Sequence, residues 1–398
     1  MRAIFQKSII LMGFIASSML AFAERPILYI YKHDGAPDKD GVYQYLLSQG
    51  KEIEARKATD EKTLPSRDAY AAYEWVLMSE DADADNTEVL ELTRGYANLP
   101  VLNMKAFSYT PDRLGWGNPY NGSVSDNGCY ITVQRADHPI FQALGKQRGD
   151  RIRVLSSINE KGLMPIDVNL PGTHCLATSL TRDIEEYEGD GEPQTFLHEV
   201  PASVRGGKKY ICFPIALSSS NNLTSEGKAL LNAIIDYLLN DEPTVSLPTL
   251  QITSFALEGV DGVTGMIDQN NNTIHMEVDL SECLPLDQTA IRPIIEVGDS
   301  YTHVKPFAGE TVDLSQSTKT PVDFTVSDFI NRRTYAVSVW FHYPEGIENI
   351  YSAGEWVNIY DIYGRKIGST NNDIYRMALP CGVYIITTDK GAAFKVMR

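Results

Sequence analysis

Ile27-Leu28-Tyr29-Ile30-Tyr31 follows Pro26 and runs straight into a polar loop, Lys32 to Asp40. Five consecutive apolar residues between a proline and a charged loop read as a strand buried on both faces, the kind found in parallel sheets. Residues 42–48 behind it read as a helix ended by Gly50. Working outward, the alternation repeats. Glu74-Trp75-Val76-Leu77-Met78 and Val101-Leu102-Asn103-Met104 are short strands, and residues 86–96 between them are helical, with Asn86 as cap and Gly95 near the end. Residues 151–157, 174–180 and 209–215 add strands. Leu230, Leu231, Ile234, Ile235, Leu238 and Leu239 recur at helical spacing in a closing helix capped by Thr224 or Ser225 and stopped by Pro243. Strands alternating with helices predict a parallel sheet with helices on its faces over residues 24–242.

Beyond Pro243-Thr244-Val245-Ser246-Leu247-Pro248, which reads as a linker, the composition turns rich in Thr, Val and Asp. Residues 252–257, 273–278, 291–297, 322–326 and 335–340 alternate with period two, which predicts an all-β sandwich over residues 243–345. Residues 346–398 are β as well, with strands at 356–360, 373–379 and 382–387 and turns at Tyr363-Gly364 and Cys381-Gly382. That segment is small for an independent core. The expected fold class is therefore multidomain, α/β followed by β.

Residues 1–23 carry Arg2 and Lys7, then an apolar stretch from Ile9 to Met19, then Ala21-Phe22-Ala23. This is the layout of a cleaved signal peptide, too short and wrongly flanked for a spanning helix. No Cys follows the cleavage site and no second long apolar stretch exists, so the expectation is a secreted or outer-membrane-surface protein without stable membrane insertion. The net charge of −17 excludes a nucleic-acid clamp, which needs clustered Lys and Arg. The five cysteines, Cys129, Cys175, Cys212, Cys283 and Cys381, show no C-x-x-C pair and no metal-ligand spacing. Cys175 and Cys212 sit in apolar segments and read as small buried hydrophobes, with a bridge between them left open.

Three segments resemble known families. VNIYDIYGRKIGST (residues 357–370) and LPCGVYIITTDKGAAFKVMR (residues 379–398) resemble the C-terminal sorting domain of the type IX secretion system, in an aromatic-Asp-x-x-Gly-Arg hairpin, a Leu-Pro-x-Gly-Val-Tyr-Ile strand and a Lys-x-Val ending. The matching residues include Tyr360, Asp361, Gly364, Arg365, Gly382, Tyr384 and Lys395. The resemblance implies export across the outer membrane and the secretion machinery as a partner. ITSFALEG, IRPIIEVGDSYTHVKPFAGETVDLS and VDFTVSDFINRRTYAVSVWF resemble an Ig-like domain of bacterial surface proteins. Asp137-His138-Pro139-Ile140-Phe141, GKKYICFP (residues 207–214) and Leu223-Thr224-Ser225-Glu226-Gly227 resemble, at fold level, the flavodoxin-like ThuA-like and class I glutamine-amidotransferase-like superfamily. The amidotransferase reaction is not implied, because it needs a Cys on a G-x-C-x-G elbow and Gly128-Cys129-Tyr130 lacks the second Gly and precedes a β-like run.

In an open parallel sheet, ligands sit beyond the carboxyl ends of the strands. His33, Asp34, Glu80 and Lys105 lie just past three strand ends and are expected to share a crevice, with His33, Asp34 and His138 as candidate acid–base residues. The long loop from Phe107 to Gly128 holds Tyr109, Arg113, Trp116, Asn118 and Tyr120, a set suited to stacking on and hydrogen-bonding a sugar. His138 equally suits a helix cap, His174 lies at a strand edge, and Asp81-Ala82-Asp83-Ala84-Asp85 reads as a solvated loop lacking the Gly and Glu of a calcium hand. No G-x-G-x-x-G or P-loop occurs, so no cofactor and no metal are expected. Three functions fit: a glycan-associated binding or accessory module, a hydrolase on a carbohydrate-related substrate, and a structural or adhesive surface protein.

Overall fold

The computed structural model describes residues 25–59, 64–123, 125–181, 192–240, 243–280, 286–307, 309–342, 356–371, 383–388, 391 and 393–397. The expected signal peptide, the strand at 373–379, Cys283, Cys381 and Gly382 lie outside these residues.

The first unit is one mixed sheet of eleven strands. These are β1 (Ile27–Tyr31), β2 (Ile53–Lys57), β3 (Val76–Met78), β4 (Val101–Asn103), β5 (Gly117–Pro119), β6 (Tyr130–Val133), β7 (Arg151–Arg153), β8 (Ile166–Val168), β9 (His174–Leu180), β10 (Pro193–Val200) and β11 (Tyr210–Cys212). Five of them run parallel in the order β2-β1-β3-β4-β11, a doubly wound arrangement that reverses direction beside β1. The alternation within each strand decides where the helices go. Ile27 and Tyr29 face one side, where they meet Val42 and Leu46 of a helix at Gly41–Ser48 and Leu230, Leu231 and Ile234 of the closing helix Ser225–Leu239. Leu28 and Ile30 face the other side, against Val89, Leu90 and Leu92 of the helix Thr87–Thr93. Asn86 caps that last helix by accepting from the N–H groups of Glu88 (2.9 Å) and Val89 (3.2 Å), and Thr224 caps the closing helix at Gly227 N–H (2.9 Å).

The sheet is not parallel throughout. Residues between β4 and β11 add β10, β9, β6 and β7 antiparallel beyond β11, with β5 and β8 alongside. No helix separates β8, β9 and β10 among the described residues, and strands joined without a crossover helix pair antiparallel. The same geometry settles the cysteines. Cys175 and Cys212 both stand opposite His198 of β10, one on each flanking strand. Two interstrand steps of about 4.8 Å separate them, beyond the roughly 7 Å that a disulfide spans. Both are buried free thiols, as is Cys129.

The second unit has two layers. β12 (Ile252–Leu257) pairs with the later strand β15 (Pro293–Val297). β13 (Met266–Asp268), β14 (Thr273–Asp279), β16 (His303–Lys305), β17 (Val322–Ser327) and β18 (Arg332–His342) form the other sheet, in the order β13-β14-β18-β17-β16. Phe255 of one layer meets Phe324 of the other edge to face, with ring centroids 5.5 Å apart, in a core shared with Ile274, Met276, Val337 and Val339. One pairing departs from an all-antiparallel sandwich: β14 and β18 run parallel. The turn between β17 and β18 docks on the first unit. Asp328 holds the turn by accepting from the N–H groups of Ile330 and Asn331, and Ile330 is buried in the first unit's core. The Asn331 side chain accepts from Gly172 N–H (3.0 Å) and donates to the Thr173 carbonyl (3.1 Å).

The last described segment is a four-stranded antiparallel sheet, β20-β19-β21-β22, built from β19 (Val357–Asp361), β20 (Lys366–Thr370), β21 (Val383–Thr388) and β22 (Ala393–Met397).

Candidate functional site

The crevice lies where the strand order reverses, past the carboxyl ends of β1, β3 and β4. A cavity of about 290 Å³ is lined by Lys32, His33, Asp81, Asp83, Lys105 and Arg113 among others. Behind it, buried Asp40 ties three elements together. Its Oδ1 accepts from the N–H groups of Val42 and Tyr43, and its Oδ2 accepts from Tyr29 (3.0 Å) and Ser79 (2.9 Å) hydroxyls. Burial raises its pKa against those four bonds. The following Gly41 is required by packing, since a Cβ there would lie 2.2 Å from the Ser220 carbonyl oxygen.

Asp81 staples the end of β1. Its Oδ2 accepts from the N–H groups of His33 (2.7 Å) and Lys32 (3.0 Å), and its Oδ1 lies 2.8 Å from His33 Nδ1. Lys32 reaches Asp83 at 3.0 Å, Arg113 reaches Asp85 at 2.8 Å, and Lys105 reaches Glu80 at 3.3 Å. For Asp83, burial works to raise the pKa. The Lys32 ammonium and the Asp85 N–H outweigh it and hold the carboxyl below its ordinary value. Within the run of aspartates expected to be solvated, Asp81 and Asp83 turn inward onto the end of β1, while Asp85 stays exposed and pairs with Arg113. Each cation of the crevice faces an acid, so the site presents paired hydrogen-bonding groups rather than the free positive charge that a phosphate needs. Glu80 also lines a second hollow, of about 450 Å³, with Lys39, Glu160, Lys161, Ser218 and Asn221.

The structure brings His33, Lys105 and Arg113 together, with Glu80 at the border. It separates the others. Asp34 turns outward, 85% exposed, and pairs with Lys57 at 3.0 Å, so Asp81 and not Asp34 is the carboxylate beside His33. Tyr109 is fully buried, and Trp116 packs edge-on against Tyr109 and Tyr210 with centroids 5.6 and 5.7 Å away. Tyr109 and Trp116 therefore pin the loop to the core. Asn118 and Tyr120 are exposed, on and just after β5, apart from the crevice-lining residues.

His138 is the cap of a short helix, Pro139–Ala143, and is fully buried. Its Nδ1 accepts from Ile140 N–H at 3.3 Å, and its Nε2 lies 3.4 Å from Glu199 Oε2 without forming a well-aligned hydrogen bond. Burial acts to raise the Glu199 pKa, but His138 and the Tyr237 hydroxyl prevail and lower it. A histidine sealed in this way has no route to a substrate. His174 is buried beside Arg135 and burial lowers its pKa. His198, which no sequence pattern marked, accepts the Tyr109 hydroxyl at Nδ1 (2.7 Å). Its Nε2–H donates to Thr173 Oγ1 (2.8 Å), whose own proton goes to the Leu170 carbonyl. Burial first, and then His174, push the His198 pKa down to about 3.

Among the residues of the expected sorting motif, Asp361, Gly364 and Arg365 build the β19–β20 turn. Asp361 Oδ1 accepts from the N–H groups of Tyr363 (3.0 Å) and Arg365 (2.8 Å), Oδ2 accepts from Arg365 Nε (3.1 Å), and Gly364 sits at φ +79°. Tyr384 lies in β21, and Lys395 stands opposite Ile385 in β22. Among the described residues no cluster of three His, Cys, Asp or Glu side chains has metal-binding geometry, and no helix is long and apolar enough to cross a membrane.

An α/β unit with a charge-paired crevice, followed by a two-layer β unit docked on it and a small β-sheet, defines the class structurally. Residues 252–339, nearly all of the two-layer unit, match the family model described as SGBP, N-terminal, a domain of surface glycan-binding proteins. No curated protein matches the chain. Among solved structures, the crystal structure of glutamine amido transferase from Methylobacillus flagellatus is similar at 12% identity and a TM-score of 0.32. It covers 48% of this chain and 70% of that one. A likeness that loose carries no argument about activity.

Proposed function

We propose that this chain is a secreted, cell-surface glycan-binding accessory protein. In this reading residues 24–242 form a flavodoxin-like unit, residues 243–345 an Ig-like unit, and residues 346–398 a sorting domain that delivers the protein through the type IX machinery. The observation that carries the reading is the match of residues 252–339 to a surface glycan-binding family. The crevice supports it independently. Its cations are spent on its own acids, which favours a neutral, hydroxyl-rich ligand over an anionic one. His33, Glu80, Lys105 and Arg113 would supply the hydrogen bonds.

The test is retardation of the chain from residue 24 in native gels cast with neutral polysaccharides. Wild type is retarded, and a His33→Ala/Lys105→Ala double variant is retarded less. Equal mobility of both, with and without polysaccharide, rejects the reading. For export, deleting residues 346–398 should leave the protein in the periplasm, and surface display of the truncated chain would refute the sorting role.

One observation favours hydrolysis as a second reading. The His33 side chain is 71% exposed, with Asp81 2.8 Å from its Nδ1, an oriented imidazole able to take a proton from water. No Ser, Thr or Cys lines the crevice among the described residues, so a covalent route there would fall to a carboxylate such as Asp81, Asp83 or Asp85. Release of reducing ends from a polysaccharide panel, lost in His33→Ala, would favour this reading over simple binding.

A further inference from the structure

We infer that the outer face of the β14–β18 pair is a second saccharide-contact surface, with Trp340 as its stacking platform and a neutral polysaccharide chain as its ligand. The inference rests on the glycan-binding reading and adds a site remote in sequence from the crevice residues.

β14 and β18 run parallel, and their registers put Glu277 opposite Trp340, His275 opposite Ser338 and Asp279 opposite His342. Alternation sends Ile274, Met276, Val278, Val337 and Val339 into the core, so His275, Glu277, Ser338, Trp340 and His342 share the outward face. Trp340 is 49% exposed. Two imidazoles neighbour its indole: the His275 ring centroid lies 6.0 Å away and that of His342 6.5 Å away. Glu277 sits between the two imidazoles, 3.6 Å from His275 Nε2 and 3.4 Å from His342 Nε2.

A large ring left half in water on an ordered strand contributes little to the core, whereas an oriented indole is what a pyranose needs. The ring's electron-rich face meets the electropositive C–H face of the sugar, and Glu277 and Ser338 stand beside it to receive hydroxyls. Glu277 and Asp279 both lie on this face and the chain carries −17 overall, so a neutral chain is favoured over a polyanion. A second protein copy fits poorly. Trp340 and Met266 are the large apolar side chains exposed on this sheet's outer face among the described residues, far short of the roughly 800 Å² per partner that a stable interface buries.

The experiment compares wild type, Trp340→Ala, Trp340→Phe and Trp356→Ala, all from residue 24. The gels contain xyloglucan, mixed-linkage β-glucan, amylopectin or polygalacturonate, and melting temperature and light scattering are measured in parallel. Trp356 is an exposed indole on the C-terminal sheet and serves as control. Expected is a loss of about tenfold or more in apparent affinity for a neutral polysaccharide in Trp340→Ala. Trp340→Phe should restore part of it, and Trp356→Ala and all melting temperatures should stay unchanged. If Trp340→Ala is retarded as strongly as wild type, the platform is refuted while the glycan reading stands. Retardation by polygalacturonate alone refutes the neutral ligand. A dimer that dissociates in Trp340→Ala, with retardation intact, reassigns the face to self-association. Wild type that no gel retards removes the glycan reading and the platform together.

Discussion

His198 sets a pH dependence that one substitution should erase. The residue is buried between β9 and β11, neutral, with both ring nitrogens engaged by Tyr109 and Thr173. Its folded-state pKa is about 3, against 6.5 for an ordinary histidine, and burial is the main cause. A histidine whose pKa is depressed on folding lends its full stability above the unfolded value. Below pH 6.5 the unfolded chain takes up a proton that the folded chain refuses, and stability falls toward pH 3. Each pH unit in that window costs about 1.4 kcal/mol, so about 2.7 kcal/mol is gone by two units below the unfolded pKa. His198→Gln removes the titration. At neutral pH the variant should be less stable by about 1–3 kcal/mol, because Tyr109 or Thr173 loses a partner. The gap should then narrow by about 1.4 kcal/mol at one unit below the unfolded value. Urea unfolding followed by tryptophan fluorescence at several pH values above the carboxylate range measures this. Staying above that range keeps Glu199 and Asp83, whose lowered pKa values withdraw stability only at more acidic pH, out of the comparison. Parallel stability profiles for the two proteins would refute the assignment of a neutral buried imidazole.

Three further outcomes follow from packing. Trp116→Ala should cost about 3 kcal/mol in urea unfolding while leaving polysaccharide retardation of the folded protein intact; the opposite pattern would restore the long loop as a contact surface. Ile330→Ala should cost about 2–4 kcal/mol and split one unfolding transition into two, since this side chain docks the second unit on the first; an unchanged single transition argues against rigid docking. Gly41→Ala should lower the melting temperature sharply, because the new methyl meets the Ser220 backbone, and a wild-type melt would contradict the close approach.

The parallel half of the first unit was legible in the sequence because local signals agreed with the tertiary answer. Five apolar residues at 27–31, the Asn86 cap and the helical spacing of residues 230–239 each point to the element found. The antiparallel extension was not legible, since a short apolar strand carries no mark of its neighbour's direction. The partner of His33 is not legible for a similar reason. Asp34 is adjacent in sequence, but successive residues point apart, and Asp81, 48 residues away, arrives through the sheet. The aspartate run looked solvated because its pairing with Lys32 is likewise long-range. Trp116 was ambiguous in kind: an aromatic among glycines can pin a loop or serve a ligand, and only the positions of Tyr109 and Tyr210 decide. Trp340 carries a signal legible in the sequence. In residues 335–340 it falls in phase with Ala336 and Ser338, the polar side of the strand, and an indole in that phase is a ring turned to solvent.

Titration calorimetry of the chain from residue 24 with neutral oligosaccharides, paired with an assay for new reducing ends in the same samples, tests the central claim most directly. Saturable binding that His33→Ala/Lys105→Ala weakens, with the oligosaccharide recovered intact, is the predicted result. Absence of heat across the panel, or steady cleavage that disappears with His33, would contradict it.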